Sequence, residues 1–207
     1  MENKKQIIFI RGGETFKNKE DFYEYLENKE IDLVDTWKSW RDWLSRELFE
    51  SFDFFTPDMP CKQNSDYKAW KIWFEKYLNL IPGDEIILIG YSLGGTFLLK
   101  YLSENKINKK IIQLNLVSSC VFDNFDESAT KERLDTFNLN LETISDISSL
   151  CNDIHLYHSK DDTCVSFKNF EFLREKLPNA TSHEFNDRNH FFQPTFPEIL
   201  EVINKLK

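Results

Sequence analysis

Ile87-Leu88-Ile89-Gly90-Tyr91-Ser92-Leu93-Gly94-Gly95-Thr96-Phe97-Leu98-Leu99 is the stretch that decides how this chain is read. An Ile-rich run enters it, one serine sits with a glycine two residues away on either side, and an apolar helical pattern leaves it. The pattern spells a strand, a tight turn of the form G-x-S-x-G-G, and a helix. A serine on so sharp a turn takes a strained backbone and presents its hydroxyl at the carboxyl end of the strand. Small neighbours let the two arms close. The helix that follows starts beneath the serine with N–H groups that lack intrahelical partners. Two other readings use the same residues. One is a plain turn with a capping serine. The other is a phosphate loop, since Gly90 and Gly95 have G-x4-G spacing, but Thr96-Phe97 stands where Lys followed by Ser or Thr is needed.

Short apolar runs recur on both sides of this stretch: Ile7 to Ile10, Phe52 to Phe55, Ile111 to Val117, Ile154 to Tyr157, and a weaker one at Thr181 to Phe185. Such runs fit strands buried on both faces. Helical patterns lie between them. Trp37, Trp40, Leu44 and Leu48 share one face, as do Tyr67, Trp70, Phe74, Tyr77 and Ile81. A last helix follows Pro197, with Ile199, Val202, Ile203 and Leu206 on its apolar side. Alternating strands and helices predict an α/β fold, a mostly parallel sheet of about six strands with helices on both faces. No linker or repeat divides the 207 residues, so residues 1–207 are expected to form a single domain. The stretch 118–153 has room for one or two short helices, such as Leu141 to Leu150, but no large cap.

Composition narrows the partners. With 26 basic against 35 acidic residues, the net charge is −9, a field that repels nucleic acid and anionic membrane surfaces. The four apolar residues Ile7 to Ile10 are too few for a secretory signal, and no run approaches the roughly 20 residues of a membrane span. The four cysteines, Cys61, Cys120, Cys151 and Cys164, form no CxxC pair and lack zinc-site spacing. The expectation is a cytoplasmic protein with reduced thiols, no metal and no cofactor. Oligomeric state is not legible.

A serine hydroxyl needs a base, usually a histidine oriented by a carboxylate. In a strand–turn–helix context the chain order is serine, acid, histidine. Of four histidines, His155 and His158 fall on a strand and His183 within the weak one. His190 lies in a loop between the last strand and the last helix, which makes it the expected base, with His183 the lesser candidate. The acid should follow the preceding strand, in Ser159-Lys160-Asp161-Asp162-Thr163-Cys164-Val165. Asp161 and Asp162 compete there, and Asp123 is an outside candidate.

These pieces together resemble a known family. Gly90-Tyr91-Ser92-Leu93-Gly94-Gly95, Ser159 to Val165 and Asn189-His190-Phe191 are similar to the motifs of small, single-domain α/β-hydrolases, close to the YdeN-like, retinoblastoma-binding serine hydrolases. The resemblance runs over roughly the whole chain. It implies the acid three residues before a valine, which is Asp162, three before Val165. It also implies an oxyanion hole made by the backbone N–H groups of Leu93 and of the loop after the first strand, at Gly13. That loop reads Arg11-Gly12-Gly13-Glu14, where the family usually has His-Gly or Pro-Gly. Arg11 is expected to pair with Glu14, with attraction of an anionic substrate as the second reading. Ser166 stands where the family has proline.

The implied activity is a metal-free serine hydrolase acting on a small ester or thioester through Ser92, His190 and Asp162. A non-catalytic binding protein on the same fold is the first alternative, since fold does not prove function. A peptidase or acyltransferase using the same residues is the second. The Trp-rich segments Trp37-Trp40-Trp43 and Trp70-Trp73 are expected mainly to pack helices on the sheet, with Trp43 and Trp73 the better candidates for a pocket wall.

Overall fold

A computed structural model of the chain describes residues 4–31, 33, 39–121 and 134–207. Six strands, β1 (Lys5–Ile10), β2 (Phe52–Phe55), β3 (Glu85–Tyr91), β4 (Lys110–Val117), β5 (Ile154–Ser159) and β6 (Thr181–Phe185), form one sheet in the order β2-β1-β3-β4-β5-β6. Every neighbouring pair is parallel. The central strands β1, β3, β4 and β5 are buried almost throughout; β1 and β3 accordingly read as apolar runs, while β4 and β5 bury polar residues (Gln113, Asn115, His155 and His158) among their apolar ones, and the edge strand β6 is only half-buried and reads weakly.

The described residues form six α-helices, α1 (Lys19–Asn28), α2 (Trp40–Leu48), α3 (Tyr67–Leu80), α4 (Leu93–Glu104), α5 (Lys168–Lys176) and α6 (Pro197–Asn204), of which α2 to α6 pack on the sheet. On one face Trp40, Leu44 and Leu48 of α2 meet Ile199 and Ile203 of α6 over Ile7, Phe9, Ile87 and Ile89. On the other, Trp70, Phe74 and Leu78 of α3, with Phe97 and Leu98 of α4 and Phe170 and Leu173 of α5, pack over Ile8, Ile10, Ile86 and Leu88. Leu78 rather than Tyr77 completes the buried stripe of α3, because steps of four from Trp70 keep to one face at 3.6 residues per turn. Side-chain caps set three helix starts: Asn18 accepts from Asp21 N–H, Ser39 from Arg41 N–H, and Asp66 from Ala69 N–H. Helix α1 buries no residue and lies on the outside. Trp37 lies outside the described residues.

The connection between β4 and β5 carries two short 3-10 turns, Asp135–Phe137 and Ile144–Ser149, among its described residues. Buried Phe137, Ile144 and Ile147 fold them onto the core, so they are packing rather than a lid.

The strand order reverses between β1 and β3. From β1 the chain steps outward to β2, then crosses to the other side of β1 for β3 and everything after it. Connections leave to opposite faces at such a switch point, and a crevice opens at the carboxyl ends of the two strands. Ser92 and the Gly12-Gly13 loop both fall there. The crevice is very narrow at α4: a Cβ on Gly94 would lie 2.2 Å from the Ile10 carbonyl oxygen and 2.5 Å from that of Arg11. On Gly90 it would lie 2.6 Å from Gly95 Cα.

Gly94→Ala forces backbone apart and is expected to destabilise by at least about 1–3 kcal/mol, as overpacking does. Leu80→Ala, at an 81% exposed site, should stay within about 0.5 kcal/mol of the parent. Urea unfolding of both variants checks the contrast, and equal midpoints would refute it.

Candidate active site

The turn after β3 holds Ser92 at φ 54°, ψ −126°, an uncommon conformation for a residue with a side chain. Its N–H donates to the Val117 carbonyl at the end of β4 (2.9 Å), and its carbonyl accepts from Gly95 N–H (2.9 Å). The strained residue is thereby tied to the neighbouring strand and to the first turn of α4. A side chain on Gly12 would touch Ser92 Cβ at 3.0 Å and Oγ at 3.3 Å, so the loop after β1 runs directly against the serine. Beyond it, Glu14 N–H donates to the Lys62 carbonyl (2.8 Å), and Ser65 N–H donates to the Glu14 carbonyl (2.8 Å). Among the described residues neither the Gly13 nor the Leu93 N–H is spent on a carbonyl.

Across the crevice, the loops after β5 and β6 are stitched together. Lys160 N–H donates to the Phe185 carbonyl (2.8 Å), Arg188 N–H to Ser159 Oγ (3.0 Å) and Asn189 N–H to Asp161 Oδ1 (3.0 Å). Thr163 N–H and its hydroxyl both donate to Asn189 Oδ1, at 3.3 and 3.0 Å. The chain around His190 is bent hard, with positive φ at Asn189 (46°) and Phe191 (55°). That bend carries the His190 ring to Asp162, where Nδ1–H donates to Oδ2 at 2.9 Å, with Oδ1 at 3.1 Å. The Tyr91 hydroxyl donates to the His190 carbonyl (2.6 Å), and its ring lies tilted at 5.1 Å from the imidazole, linking the turn of Ser92 to the loop of His190.

The two aspartates separate by environment. Asp162 has no exposed side-chain surface, and its Oδ1 accepts the N–H groups of Cys164 (2.8 Å) and Val165 (2.9 Å). Burial alone would raise its pKa. The His190 hydrogen bond and charge, the Val165 N–H and the nearby His158 outweigh that and hold it below the ordinary carboxylate value. Asp161 instead takes the Ser159 hydroxyl and Asn189 N–H, and braces the loop that carries His190. Asp123 lies outside the described residues.

The other histidines are committed elsewhere. His158, buried on the far side of Asp162, puts Nε2 2.9 Å from the Val165 carbonyl and 3.4 Å from Asp162 Oδ2; burial, partly offset by that carbonyl and by Asp162, pushes its pKa down. His183 stacks on Tyr157 at 4.3 Å and meets His155, whose other ring nitrogen faces Asp153 at 2.9 Å. The neutral chain is self-consistent: His155 Nε2–H donates to Asp153, and His183 Nε2–H donates to His155 Nδ1.

Two expectations are corrected. Glu14 pairs with Lys29 (3.2 Å) and accepts the Tyr25 hydroxyl (2.6 Å), so the Arg11–Glu14 pair does not form. Helix α1 and its C-terminal flank bring those two partners in, and the loop sequence gives no hint of them. Nor do Trp43 and Trp73 wall the cavity beside the serine. Both lie half-buried against the helix layers, and Trp40 faces the cavity instead. Trp70 is fully buried, with its indole N–H donating to the Pro60 carbonyl (2.9 Å).

None of the four cysteines is in a disulfide. Cys164 Sγ, a carboxylate oxygen of Asp162 and a ring nitrogen of His190 lie within 4.8 Å of one another, a set able to approach a metal ion. The Asp162 oxygens are already occupied by three N–H donors, however, so an ion would have to displace His190 from them. Among the described residues, no helix is long and apolar enough to cross a membrane.

With this geometry in view, comparison with known proteins is consistent. No protein-family model matches the chain. Serine hydrolase RBBP9 of Rattus norvegicus is 24% identical over 160 residues, covering 77% of this chain and 81% of the relative. Among solved structures, the ydeN gene product of B. subtilis is similar with a TM-score of 0.71 at 17% identity, covering 97% of both chains. The meta-cleavage product hydrolase CumD of Pseudomonas fluorescens, an S103A mutant complexed with acetates, gives a TM-score of 0.61 at 12% identity over 98% of this chain and 92% of the other. The chain has the α/β-hydrolase fold in its single-domain form, with no large cap among the described residues. Its resemblance to that superfamily, and to the YdeN-like and RBBP9 hydrolases in particular, supports a hydrolase.

The His183 environment makes a pH prediction. Burial, followed by the nearby His155 and Lys205, lowers its pKa from 6.5 to about 4. The unfolded chain then takes up a proton at higher pH than the folded one. Stability is full above about 6.5 and declines as pH falls towards about 4. His183→Phe keeps the ring on Tyr157 without the titrating nitrogen. Its unfolding free energy should fall less steeply over that window, and parallel pH profiles would refute the assignment.

Proposed function

We propose that this chain is a serine hydrolase that cleaves a small carboxylic ester or thioester through a covalent acyl-enzyme. The observation that carries the reading is the pairing of His190 Nδ1 with the fully buried Asp162 carboxylate at 2.9 Å, in a chain whose Ser92 is strained at φ 54° and follows Tyr91, the residue whose hydroxyl holds the His190 carbonyl. Ser92 Oγ attacks the acyl carbon while His190 Nε2 takes its proton and then hands it to the leaving oxygen or sulfur. Asp162 keeps the imidazole in the tautomer with Nδ1–H and stabilises the imidazolium that forms. The N–H groups of Leu93 and Gly13 stabilise the developing oxyanion, Leu93 with the added field of the α4 amino end. Water, activated by the same histidine, releases the acid. No step draws on a metal or a cofactor, because the chain's own groups supply nucleophile, base and oxyanion donors.

The substrate in this reading is a small acyl compound rather than nucleic acid or a membrane surface, in keeping with the net charge of −9. The four reduced thiols support a reducing compartment, the cytoplasm.

Ser92→Ala should fold normally, lose fluorophosphonate labelling, and lose roughly 10⁴–10⁶-fold in ester turnover. A parent protein that neither labels nor turns over esters would point to a binding protein on this fold, while turnover confined to peptide substrates would point to a peptidase. Asp162→Asn should cost about 10⁴-fold through the lost tautomer. Asp161→Asn keeps an acceptor for Asn189 N–H and should cost far less; the reverse order would move the acid to Asp161.

Chelation supplies a separate check. Exhaustive dialysis against a chelator should leave ester turnover unchanged. A loss restored by a divalent ion would transfer Asp162, Cys164 and His190 from a triad to a metal site.

A further inference from the structure

A cavity of about 230 Å³ opens beside the serine turn, on the α2 and α6 side of the sheet, and its lining is unusual for this chain. Its walls are aromatic, from Phe9, Trp40, Tyr91 and Phe191. Its charged lining is Arg11, Arg41 and Asp42, which sums to one positive charge in a protein of net charge −9. Arg41 spends Nε (2.9 Å) and Nη2 (2.6 Å) on Asp42. Arg11 is exposed and makes no ion pair among the described residues. Glu14, its nearest acid in sequence, is held by Lys29 and Tyr25, and Asp58, which lies within the field of both arginines, is bonded to Lys62 at 2.9 Å. The Ser39 hydroxyl also lines the cavity. Its oxygen accepts Arg41 N–H at 3.2 Å.

Two of the cavity's lining residues, Arg11 and Tyr91, are chain neighbours of the reacting centre. Arg11 precedes Gly12, the residue lying against Ser92 Oγ. Tyr91 precedes Ser92, and its ring rests on His190. We propose that this cavity binds a carboxylate. The preferred substrate is then an ester or thioester whose acyl part ends in a second, free carboxylate, with Arg11 the residue that selects it. The inference rests on the serine hydrolase reading and names its substrate class. A guanidinium offers a carboxylate two parallel N–H donors, and the aromatic walls suit the methylenes between the carboxylate and the reacting carbonyl. The volume is below the roughly 300–1,000 Å³ of sites for drug-sized ligands, which limits the acyl chain to a short one.

The test uses two esters of equal length, 4-nitrophenyl hydrogen adipate and 4-nitrophenyl methyl adipate. In both, acylation of Ser92 releases 4-nitrophenol, and water then frees adipate from the first ester and monomethyl adipate from the second. The full chain should give a higher kcat/KM on the anionic ester. Arg11→Ala should lower the anionic-to-neutral ratio roughly 10–100-fold, the range for a hydrogen bond to a charged group. The change should fall mainly on KM, with Arg11→Lys restoring part of it. Added salt should erode the preference. No preference in the parent, or a ratio unchanged in Arg11→Ala, overturns the proposal while ester turnover and fluorophosphonate labelling leave the hydrolase reading standing. Failure of both esters together with absent labelling overturns the two at once.

Discussion

The closest backbone approach in the site is that of Gly94 to β1. With only 2.2 Å available to a Cβ before the Ile10 carbonyl oxygen, α4 can start where it does only because residue 94 has no side chain. That approach fixes three things together. It brings the amino end of α4 under the serine. It holds Ser92, the residue immediately before α4, at its positive φ of 54°. It also lays the Arg11-Gly12-Gly13 loop along the serine's flank, where a single Cβ on Gly12 would already touch Oγ. Preorganised N–H donors cost nothing to arrange at the moment of reaction, and here their arrangement is a by-product of strand–helix packing.

The other half of the site is held by hydrogen bonds as well as packing. Buried Phe191 and Phe196 anchor the loop after β6 and Val165 the loop after β5, while polar groups define how the two loops meet. Ser159, Asp161 and Thr163 from one loop engage Arg188 and Asn189 from the other, and Tyr91 reaches across from the serine turn. Because the Asp162 carboxylate is buried, its charge is sustained only while Cys164 N–H, Val165 N–H and His190 remain bonded to it. Loss of any one donor raises the cost of the buried charge for the others, and the loop and the base are therefore coupled.

Much of this was legible in sequence, for physical reasons that differ by element. Strands β1 and β3 announce themselves because burial on both faces leaves them almost wholly apolar, and the turn at Ser92 does so because three glycines crowd one residue. Order along the chain singled out His190, whose ring the structure brings to Asp162. It was not enough to choose between Asp161 and Asp162, since adjacent loop residues look alike until their donors are known. Tyr91, Ser159 and Asn189 escaped notice as positioning residues. Their partners are remote in sequence, 99 residues away for Tyr91 and 26 for Asn189, and only Asn189 carried a local signal, being a residue type that tolerates positive φ. The Arg11–Glu14 expectation failed on the same point: nearness in sequence is weaker than the geometry of α1, which delivers Tyr25 and Lys29 to Glu14 first.

That failure has a structural consequence. In the loop after β1 the backbone lies against Ser92, which a Cβ on Gly12 would meet at 3.0 Å, whereas Arg11 lines the neighbouring cavity. With Glu14 bonded to Tyr25 and Lys29, Arg11 keeps its charge beside an aromatic-walled space. Under the proposed hydrolase reading, the backbone N–H groups of this loop would serve the reacting oxygen and the guanidinium the far end of the acyl group, so that carbonyl activation and selection by charge fall on different atoms of the same three-residue loop.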